Sequence, residues 1–210
     1  SLHDALPISY GQITIRNAVS TNSTIYTPIR DASRAEDEFV DLDADAAEEE
    51  HASFTPDLSR VTLTLEEMQP HTNPRYQRDE IGIGNAFADF FKPIARFNRN
   101  RGIWYVYDGT VWQPDEGGLA VAELAKYLAD ALYTFALQIR DEDTRNRYIK
   151  RVQKLQMRKN RRTMVEDAKS VYPVSHSIFD NSKFMFNCQN GTLDMETMEF
   201  RDHDPADFIT

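Results

Sequence analysis

The chain has 210 residues, of which 40% are hydrophobic and 11% aromatic, enough apolar surface for a packed core. Residues 1–80 carry the whole formal net charge of −10, with 16 acidic and six basic residues, whereas residues 81–210 hold 18 of each. The single cysteine, Cys188, excludes an internal disulfide and a cysteine-based metal site, and the five histidines are scattered with no pair at helical ligand spacing. No apolar run approaches the roughly 20 residues of a membrane span, so we expect a cytoplasmic protein.

The N-terminal third predicts no folded structure. Residues 1–9, SLHDALPIS, match the translation of a common sequencing-library adapter, and we interpret them as an assembly artefact. Ten of the twenty residues from Asp31 to Glu50 are acidic. Because so little apolar surface cannot offset the entropy lost on ordering, an acidic disordered linker is predicted over residues 10–77. Its one weak structural signal is a short strand, or a helix capped by Thr64 with Glu67 closing a capping box.

The chain from residue 78 onwards predicts an α+β domain. The stretch IGIGNAFADFF predicts a first helix, and strands follow near 94–97, 103–107 and 110–113. The dipeptide Asp108-Gly109 predicts a two-residue turn between the last two strands, because such a turn needs positive φ at both positions. Asn190-Gly191 predicts a second tight turn, between a strand at 184–189 and its return through Leu193.

Helical periodicity occupies the middle of this domain. Apolar residues from Val121 to Phe135 recur every three or four positions and predict a helix over 119–139. Two further helices are predicted over 142–157 and 162–170. The predicted architecture is therefore a central helical bundle flanked by small antiparallel hairpins or sheets.

The aromatic residues Trp104, Tyr105 and Tyr107 admit two interpretations. Together with three arginines between residues 96 and 101 they could stack the bases of a single strand. Aromatic residues on a short strand more often form the core of a small sheet, and we adopt that interpretation.

The strongest charge feature is RNRYIKRVQKLQMRKNRR, which holds nine Lys and Arg and no acid between Arg145 and Arg162. At three- and four-residue spacing, the cations form one stripe along a predicted helix. Such a row binds phosphates without sequence preference and with affinity that falls as salt rises, whereas the alternative is an ordinary solvated face. The predicted nucleic-acid-binding residues are Arg147, Lys150, Arg151, Lys154, Arg158, Lys159, Arg161 and Arg162. No phosphate-binding G-x-x-x-x-G-K-[ST] motif, metal-ligand cluster or catalytic constellation is found, so no catalytic residue is predicted.

Three motifs follow one another in this half: Gly84-Asn85-Ala86, then WYVYDGTVW, then NGTLDMETMEFRDHDPADFIT. Their order resembles the domain that lies directly before the superfamily-3 helicase module in phage, plasmid and poxvirus primase–helicases. The resemblance covers about residues 78–210. It assigns structural roles to Gly84, Asn85, Trp104, Asp108, Gly109, Trp112, Asn190, Gly191 and Asp194. Where the family usually has a basic residue and a glycine turn, this chain has Met195-Glu196-Thr197-Met198.

This resemblance implies an accessory domain that couples a primase to an ATP-driven helicase in the cytoplasm of a bacterial host. ATP and Mg²⁺ are expected for a helicase module after Thr210, with no cofactor in the present residues, so the chain is expected to be a fragment. Single-stranded or forked DNA, the protein's own primase and helicase modules, and further copies in a hexamer formed with the helicase module are the implied partners. The alternative is a non-catalytic docking module whose basic face binds an acidic partner or the chain's own acidic linker.

Overall fold

The computed structural model of the chain describes residues 54–210, which form five α-helices and two three-stranded antiparallel sheets. The α+β class predicted from the sequence is confirmed. The predicted artefact at residues 1–9 and the predicted linker residues 10–53 lie outside the described residues.

Residues 54–77 are part of the folded domain, so the prediction of a linker over these residues is wrong. Helix α1 (Leu65–Met68) begins with the capping box, in which the Glu67 amide donates to Thr64 Oγ1 (3.2 Å) and the Thr64 amide donates to Glu67 Oε2 (2.9 Å). Both apolar residues of α1 and Tyr76 are buried in the core. A few apolar side chains in a polar stretch anchor this segment, and average composition does not reveal them.

The first sheet follows helix α2 (Asp79–Phe90) and consists of β1 (Ala95–Asn98), β2 (Ile103–Tyr107) and β3 (Trp112–Asp115) in that order. Every β2 residue from Trp104 to Tyr107 is buried, so both faces of the strand are covered. Helices α2 and α3 contribute to the layer on one side, where the Trp104 ring contacts that of Phe87 at 5.9 Å between centroids.

The turn between β2 and β3 is longer than predicted. Tyr107 pairs with Trp112, which leaves a four-residue loop over 108–111 instead of a two-residue turn. Asp108 Oδ1 accepts hydrogen bonds from the amides of Thr110 (2.8 Å) and Val111 (2.9 Å), so the aspartate side chain organises the loop. Gly109 takes the positive φ of +107° expected of this position.

The helical layer contains α3 (Leu119–Leu137), α4 (Glu142–Val152) and α5 (Arg158–Ala168). The predicted apolar side of α3 is confirmed, since Val121, Leu124, Leu128 and Leu132 are all buried. The α3 N-terminus is closed by the buried carboxylate of Asp115, which accepts from the amides of Ala120 (3.2 Å) and Val121 (2.9 Å).

The helical structure is interrupted between α4 and α5. The first helix was predicted to end at residue 157 and the next to begin at residue 162, and both limits are wrong. A 3₁₀ turn over Gln153–Gln156 ends at Met157, whose backbone is extended (φ −81°, ψ 129°). Side chains from α5 satisfy carbonyls freed by the break: Asn160 Nδ2 donates to Lys154 O (2.6 Å), and Arg161 Nη1 donates to Leu155 O (2.7 Å). The cations therefore do not form one stripe on one continuous helix.

The second sheet contains β4 (Met185–Cys188), β5 (Gly191–Asp194) and β6 (Glu199–Arg201). Cys188 pairs with Gly191, so the first turn comprises Gln189 and Asn190, one position earlier than predicted. The second turn spans residues 195–198, because Asp194 pairs with Glu199. A Cβ at Gly191 would lie 2.5 Å from Arg201 O and 2.7 Å from the Phe200 ring, so this close approach of β6 requires glycine.

The two ends of the domain attach to one hairpin. The Asp57 amide donates to Tyr107 O (3.0 Å), and the Trp112 amide donates to Ile209 O (2.7 Å). Tyr107 and Trp112 are register partners that flank the Asp108 loop. Asp57 and Ile209, near the two ends of the described range, thus attach beside each other.

Candidate nucleic-acid interface

The predicted basic residues lie on α4, on α5 and on the 3₁₀ turn between them, and they differ in exposure. Arg147 and Lys150 are exposed on α4, and Lys154 is exposed on the 3₁₀ turn. Arg158, Lys159 and Arg162 are exposed on the first turns of α5. Six of the eight predicted residues are thus open to solvent. The other two, Arg151 and Arg161, are only partly exposed.

Arg151 joins α4 to the segment before α2. Its Nη2 donates to the carbonyl oxygens of Tyr76 (2.6 Å) and Asp79 (3.2 Å). Arg161 has a similar structural function, because its Nη1 donates to the carbonyls of Leu155 and Gln156, each at 2.7 Å. Both guanidinium groups thus hold backbone carbonyls in place, which the sequence-based assignment of all eight residues to a free phosphate-binding stripe missed.

A groove of about 640 Å³ runs between the N-terminal half of α3 and α5. We call it the α3–α5 groove. Arg158 and Arg162 line it from α5, and Lys169 lines it from the position directly after α5. Their spacing places the three side chains along one side of the helix. Lys126 lines it from α3, and Trp104 and Leu119 contribute apolar wall. The helix break at Met157 therefore places three of the predicted cations, Arg158, Arg161 and Arg162, along a concave surface.

The charges of this groove are neutralised unequally. Lys126 pairs with Glu123 (2.5 Å) and Lys169 with Glu166 (2.7 Å), each within one helical turn. Arg158 and Arg162 make no ion pair with any residue in 54–210. Sequence reasoning missed Lys126 and Lys169 because each lies outside the basic run, and the fold brings them to it.

The aromatic residues of β2 do not form an exposed stacking platform, because Trp104, Tyr105 and Tyr107 are all buried. The Tyr105 ring stacks on Phe179, with centroids 4.4 Å apart. The hydroxyl of Tyr105 accepts a hydrogen bond from Arg101 Nη1 (2.6 Å). The interpretation of these residues as the core of a small sheet is confirmed.

A polar cluster around Asp89 attaches residues 54–77 to the rest of the domain. Arg75 donates to both carboxylate oxygens, from Nε at 2.5 Å and from Nη2 at 2.9 Å. The hydroxyls of Tyr76 (2.9 Å) and Tyr172 (2.7 Å) donate to the same carboxylate. Burial alone would raise the pKa of Asp89, but the hydrogen bonds from Arg75, Tyr172 and Tyr76 outweigh it and lower the pKa. Burial and the bond to Asp89 raise the pKa of Tyr76 to about 12.

Two residues of the first motif, Gly84 and Asn85, allow other parts of the domain to pack closely on α2. A Cβ at Gly84 would lie 2.6 Å from Asp167 Cβ, so glycine permits the contact between α2 and α5. Asn85 Nδ2 donates to the carbonyl of Arg75 (3.2 Å), and this hydrogen bond holds residues 54–77 against α2.

The second and third motifs contact each other. Trp112 Nε1 donates to Pro205 O (2.9 Å), and its ring stacks on Phe208 at 5.4 Å between centroids. Asp194 Oδ1 accepts from the amides of Glu196 (2.8 Å) and Thr197 (3.3 Å) and so shapes the β5–β6 turn. Together with the Asp108 loop and the close approach at Gly191, these contacts place motif residues at turns and docking points. Asn190 is exposed in the β4–β5 turn.

Within residues 54–210, no group of three or more His, Cys, Asp or Glu side chains is arranged to hold a metal ion. None of the helices in the same range has the length and apolar character needed to cross a bilayer.

Comparison with known proteins identifies the domain. No curated protein matches the chain. Residues 84–210, more than half of the chain, match the family described as D5 N terminal like. The matched range begins at the first motif and includes the other two. The chain therefore belongs to the D5 N terminal like family, the domain that precedes the superfamily-3 helicase module in phage, plasmid and poxvirus primase–helicases.

Proposed function

We propose that this domain is the nucleic-acid-contacting accessory part of a replication primase–helicase. In this proposal it joins a primase to an ATP-driven helicase module, and the exposed face of α5 with the α3–α5 groove contacts the phosphates of single-stranded or forked DNA. ATP and Mg²⁺ belong to the helicase module in this scheme. The contribution of the present residues is to bind and orient the DNA.

The observation that carries the proposal is the set of uncompensated cations at the start of α5. Arg158, Lys159 and Arg162 are exposed and have no acidic partner within the described part of the chain. They also lie near the N-terminus of a helix, where the macrodipole disfavours positive charge. Local helix stability therefore does not explain three cations at this position, whereas an anionic ligand does.

The α4 cations Arg147 and Lys150 extend the positive surface beyond the groove. When cationic side chains neutralise the phosphates of a nucleic-acid backbone, the counterions condensed on the nucleic acid are released. This release produces affinity without base specificity. Each phosphate contact contributes about 0.7 to the slope of log K against log salt concentration for a single strand, and about 0.9 for duplex DNA.

The test is fluorescence anisotropy of the full chain with labelled single-stranded and forked DNA over a series of salt concentrations. The variant Arg158→Glu/Lys159→Glu/Arg162→Glu should lose most of its affinity, and its salt slope should fall by about 2 to 3 because three contacts are removed. Glutamates near the α5 N-terminus suit the helix dipole, so the variant should fold.

The matched control is Arg99→Glu/Arg140→Glu/Lys183→Glu. It changes the net charge by the same amount, at exposed positions outside α4 and α5. The control should bind DNA with nearly the wild-type salt slope. If both variants lose affinity equally, the interaction depends on net charge alone, and the proposed surface is wrong.

An acidic protein segment is a second candidate ligand for the same groove. Glu123 and Glu166 already place carboxylates beside Lys126 and Lys169, so the groove accommodates that group. If the α5 variant loses affinity for an acidic peptide while the wild-type protein binds no DNA in the same buffer, the acidic partner is the ligand.

A further inference from the structure

The second sheet covers a polar face and exposes an apolar one. Asn187, Thr192 and Arg201 are register partners across its three strands, so they share one face. This face is turned towards the domain, because Thr192 is only 1% exposed and Arg201 Nη2 donates to Asp207 Oδ1 (2.5 Å) in the segment after β6. A sheet with one wet side usually packs its apolar side on the core, and here that arrangement is reversed.

The opposite face of the sheet is apolar and open to solvent. Phe186, Leu193 and Phe200 are register partners on this face, where Phe186 is 59% exposed and Phe200 50% exposed. We call its exposed large residues, together with the methionine of the adjoining turn, the apolar sheet face: Phe184, Phe186, Met195, Met198 and Phe200. Contiguous apolar surface of this kind marks an interaction site.

The charges beside the apolar sheet face favour a cationic partner. Four exposed carboxylates make no ion pair with any residue in 54–210: Glu196, Glu199, Asp202 and Asp204. Against them stands Lys183, because Arg201, the other Lys or Arg of residues 181–210, pairs with Asp207. Exposed aromatic side chains can stack nucleic-acid bases, but these carboxylates would repel the phosphates. A protein surface with positive charge is therefore the complementary partner.

The dimensions of the face suit one α-helix. Strands of three or four residues are about 10–13 Å long, and the axes of the two outer strands lie about 10 Å apart. An α-helix with its side chains is about 10–12 Å wide, so two to three turns would cover the face. A strand added at an edge would pair with the backbone of β4 or β6 and leave the apolar side chains uncovered.

Two methionines adapt the face to a helical ligand. Met198 lies in the β5–β6 turn, is 74% exposed and adopts φ +59°, in the left-handed region that favours glycine. Met195 begins the same turn and is also exposed. Methionine side chains are flexible and fit irregular apolar surfaces, and exposed methionines are frequent where proteins bind amphipathic helices.

We infer that the apolar sheet face binds an amphipathic helix of a separate protein, one that carries Lys or Arg beside its apolar side chains. The apolar side of this helix covers Phe186 and Phe200, and its cations reach Glu199 and Asp202. The contact is independent of the proposed DNA contact, because the α3–α5 groove has different lining residues.

A second copy of the chain is a poor source of such a helix. The basic helices of the described residues are α4 and α5, and their large apolar residues Tyr148, Val152 and Met164 are buried in the domain core. Two identical faces would also bring the same carboxylates together, which opposes symmetric pairing.

The test is fluorescence anisotropy of the full chain with a labelled peptide of leucine and lysine. The peptide has about 15 residues and places leucine at three- and four-residue spacing, so that it forms an amphipathic helix. We expect a Kd below about 100 μM. A peptide with glutamate in place of lysine, and one in which leucine and lysine strictly alternate as on a strand, should each bind at least tenfold more weakly. Equal binding of the alternating peptide would overturn the inference in favour of edge addition.

The first pair of variants tests the apolar contact. Phe186→Ser/Phe200→Ser should weaken binding of the helical peptide at least tenfold. The matched control Leu137→Ser/Met157→Ser removes two large exposed apolar residues outside the sheet and should bind as the wild type does. Circular dichroism checks that each variant is folded. If the folded sheet variant binds like its control, the face is not the site.

The second pair of variants tests the charge contact. Glu196→Gln/Glu199→Gln/Asp202→Asn should weaken binding at least threefold. Glu48→Gln/Glu49→Gln/Glu50→Gln makes the same change in net charge in the acidic stretch and should have little effect. Equal losses would show that the peptide responds to net charge alone, which would overturn the inference.

The sole cysteine reports where the peptide binds. Cys188 lies two residues after Phe186 on β4, and its side chain is therefore on the same face. Bound helical peptide should slow alkylation of Cys188 by iodoacetamide, and an unchanged rate would place the peptide elsewhere. Sedimentation velocity of the chain alone covers the remaining occupant. A dimer that Phe186→Ser/Phe200→Ser abolishes would mean that a second copy covers the face, and would overturn the inference.

Discussion

Replacing Asp89 by asparagine should destabilise the domain by about 2–4 kcal/mol. The Asp89 side chain is 10% exposed and accepts hydrogen bonds from Arg75, Tyr76 and Tyr172. Asparagine keeps the shape but offers one acceptor oxygen, so the arginine loses its counter-charge and at least one buried donor loses its partner. Each hydrogen bond to a charged group contributes about 1.5–3 kcal/mol. Because Arg75 is 43% exposed, solvent offsets part of the loss.

The measurement is urea unfolding of the full chain, followed by the fluorescence of the buried residues Trp104 and Trp112. Asp202→Asn is the matched control, because Asp202 is exposed and makes no side-chain hydrogen bond within residues 54–210. If Asp89→Asn and Asp202→Asn differ by less than about 0.5 kcal/mol, the cluster does not hold the domain as described.

The same cluster has a defined pH dependence. The folded-state pKa of Asp89 is lowered, so its stabilising contribution is present above the unfolded-state pKa of about 3.9 and is lost as pH falls through the folded-state pKa. The difference in unfolding free energy between wild type and Asp89→Asn should be constant from about pH 5 to 8 and shrink below about pH 4. A difference that grows on acidification would contradict this sign.

Three further substitutions test the packing. Gly84→Ala should lower the free energy of unfolding in urea by about 1–3 kcal/mol, because the added Cβ overlaps α5. Gly117→Ala should change it little, because a Cβ there would lie 3.5 Å from its nearest neighbour, Leu119 Cγ. Equal effects of the two variants would contradict the close approach of α2 and α5. Trp112→Phe should speed amide exchange in residues 205–210 by removing a hydrogen bond that holds this segment, and unchanged exchange would refute that function. Arg161→Met should destabilise by about 1–3 kcal/mol and Arg162→Met by less than about 0.5, measured by thermal melting; the reverse order would exclude the structural function of Arg161.

Local signals in the sequence predicted much of the fold. The limits of β2 and the apolar side of α3 depend on residues close in sequence, and the structure reproduces both. The break at Met157 was not predictable, because neither glycine nor proline marks it. Side-chain hydrogen bonds from Asn160 and Arg161 to carbonyls six residues earlier replace the helical bonds lost there.

The candidate site shows the same division between local and distant information. The basic run was visible in composition, but which of its members remain free depends on partners far away in sequence. Arg151 reaches the carbonyl of Tyr76, 75 residues earlier, and thereby ceases to be a free surface charge. Lys126 and Lys169 join the groove only because α3 and α5 pack together. Long-range contacts of this kind leave no local pattern.

The attachment of both chain ends to one hairpin has a mechanical consequence. A pull applied between residues 54 and 210 would load the bonds from Asp57 to Tyr107 and from Trp112 to Ile209 before it reached the helices. Because Tyr107 and Trp112 are register partners, the force would pass through this one pair of residues. The helical layer and the α3–α5 groove would lie outside that path and would keep their shape under load.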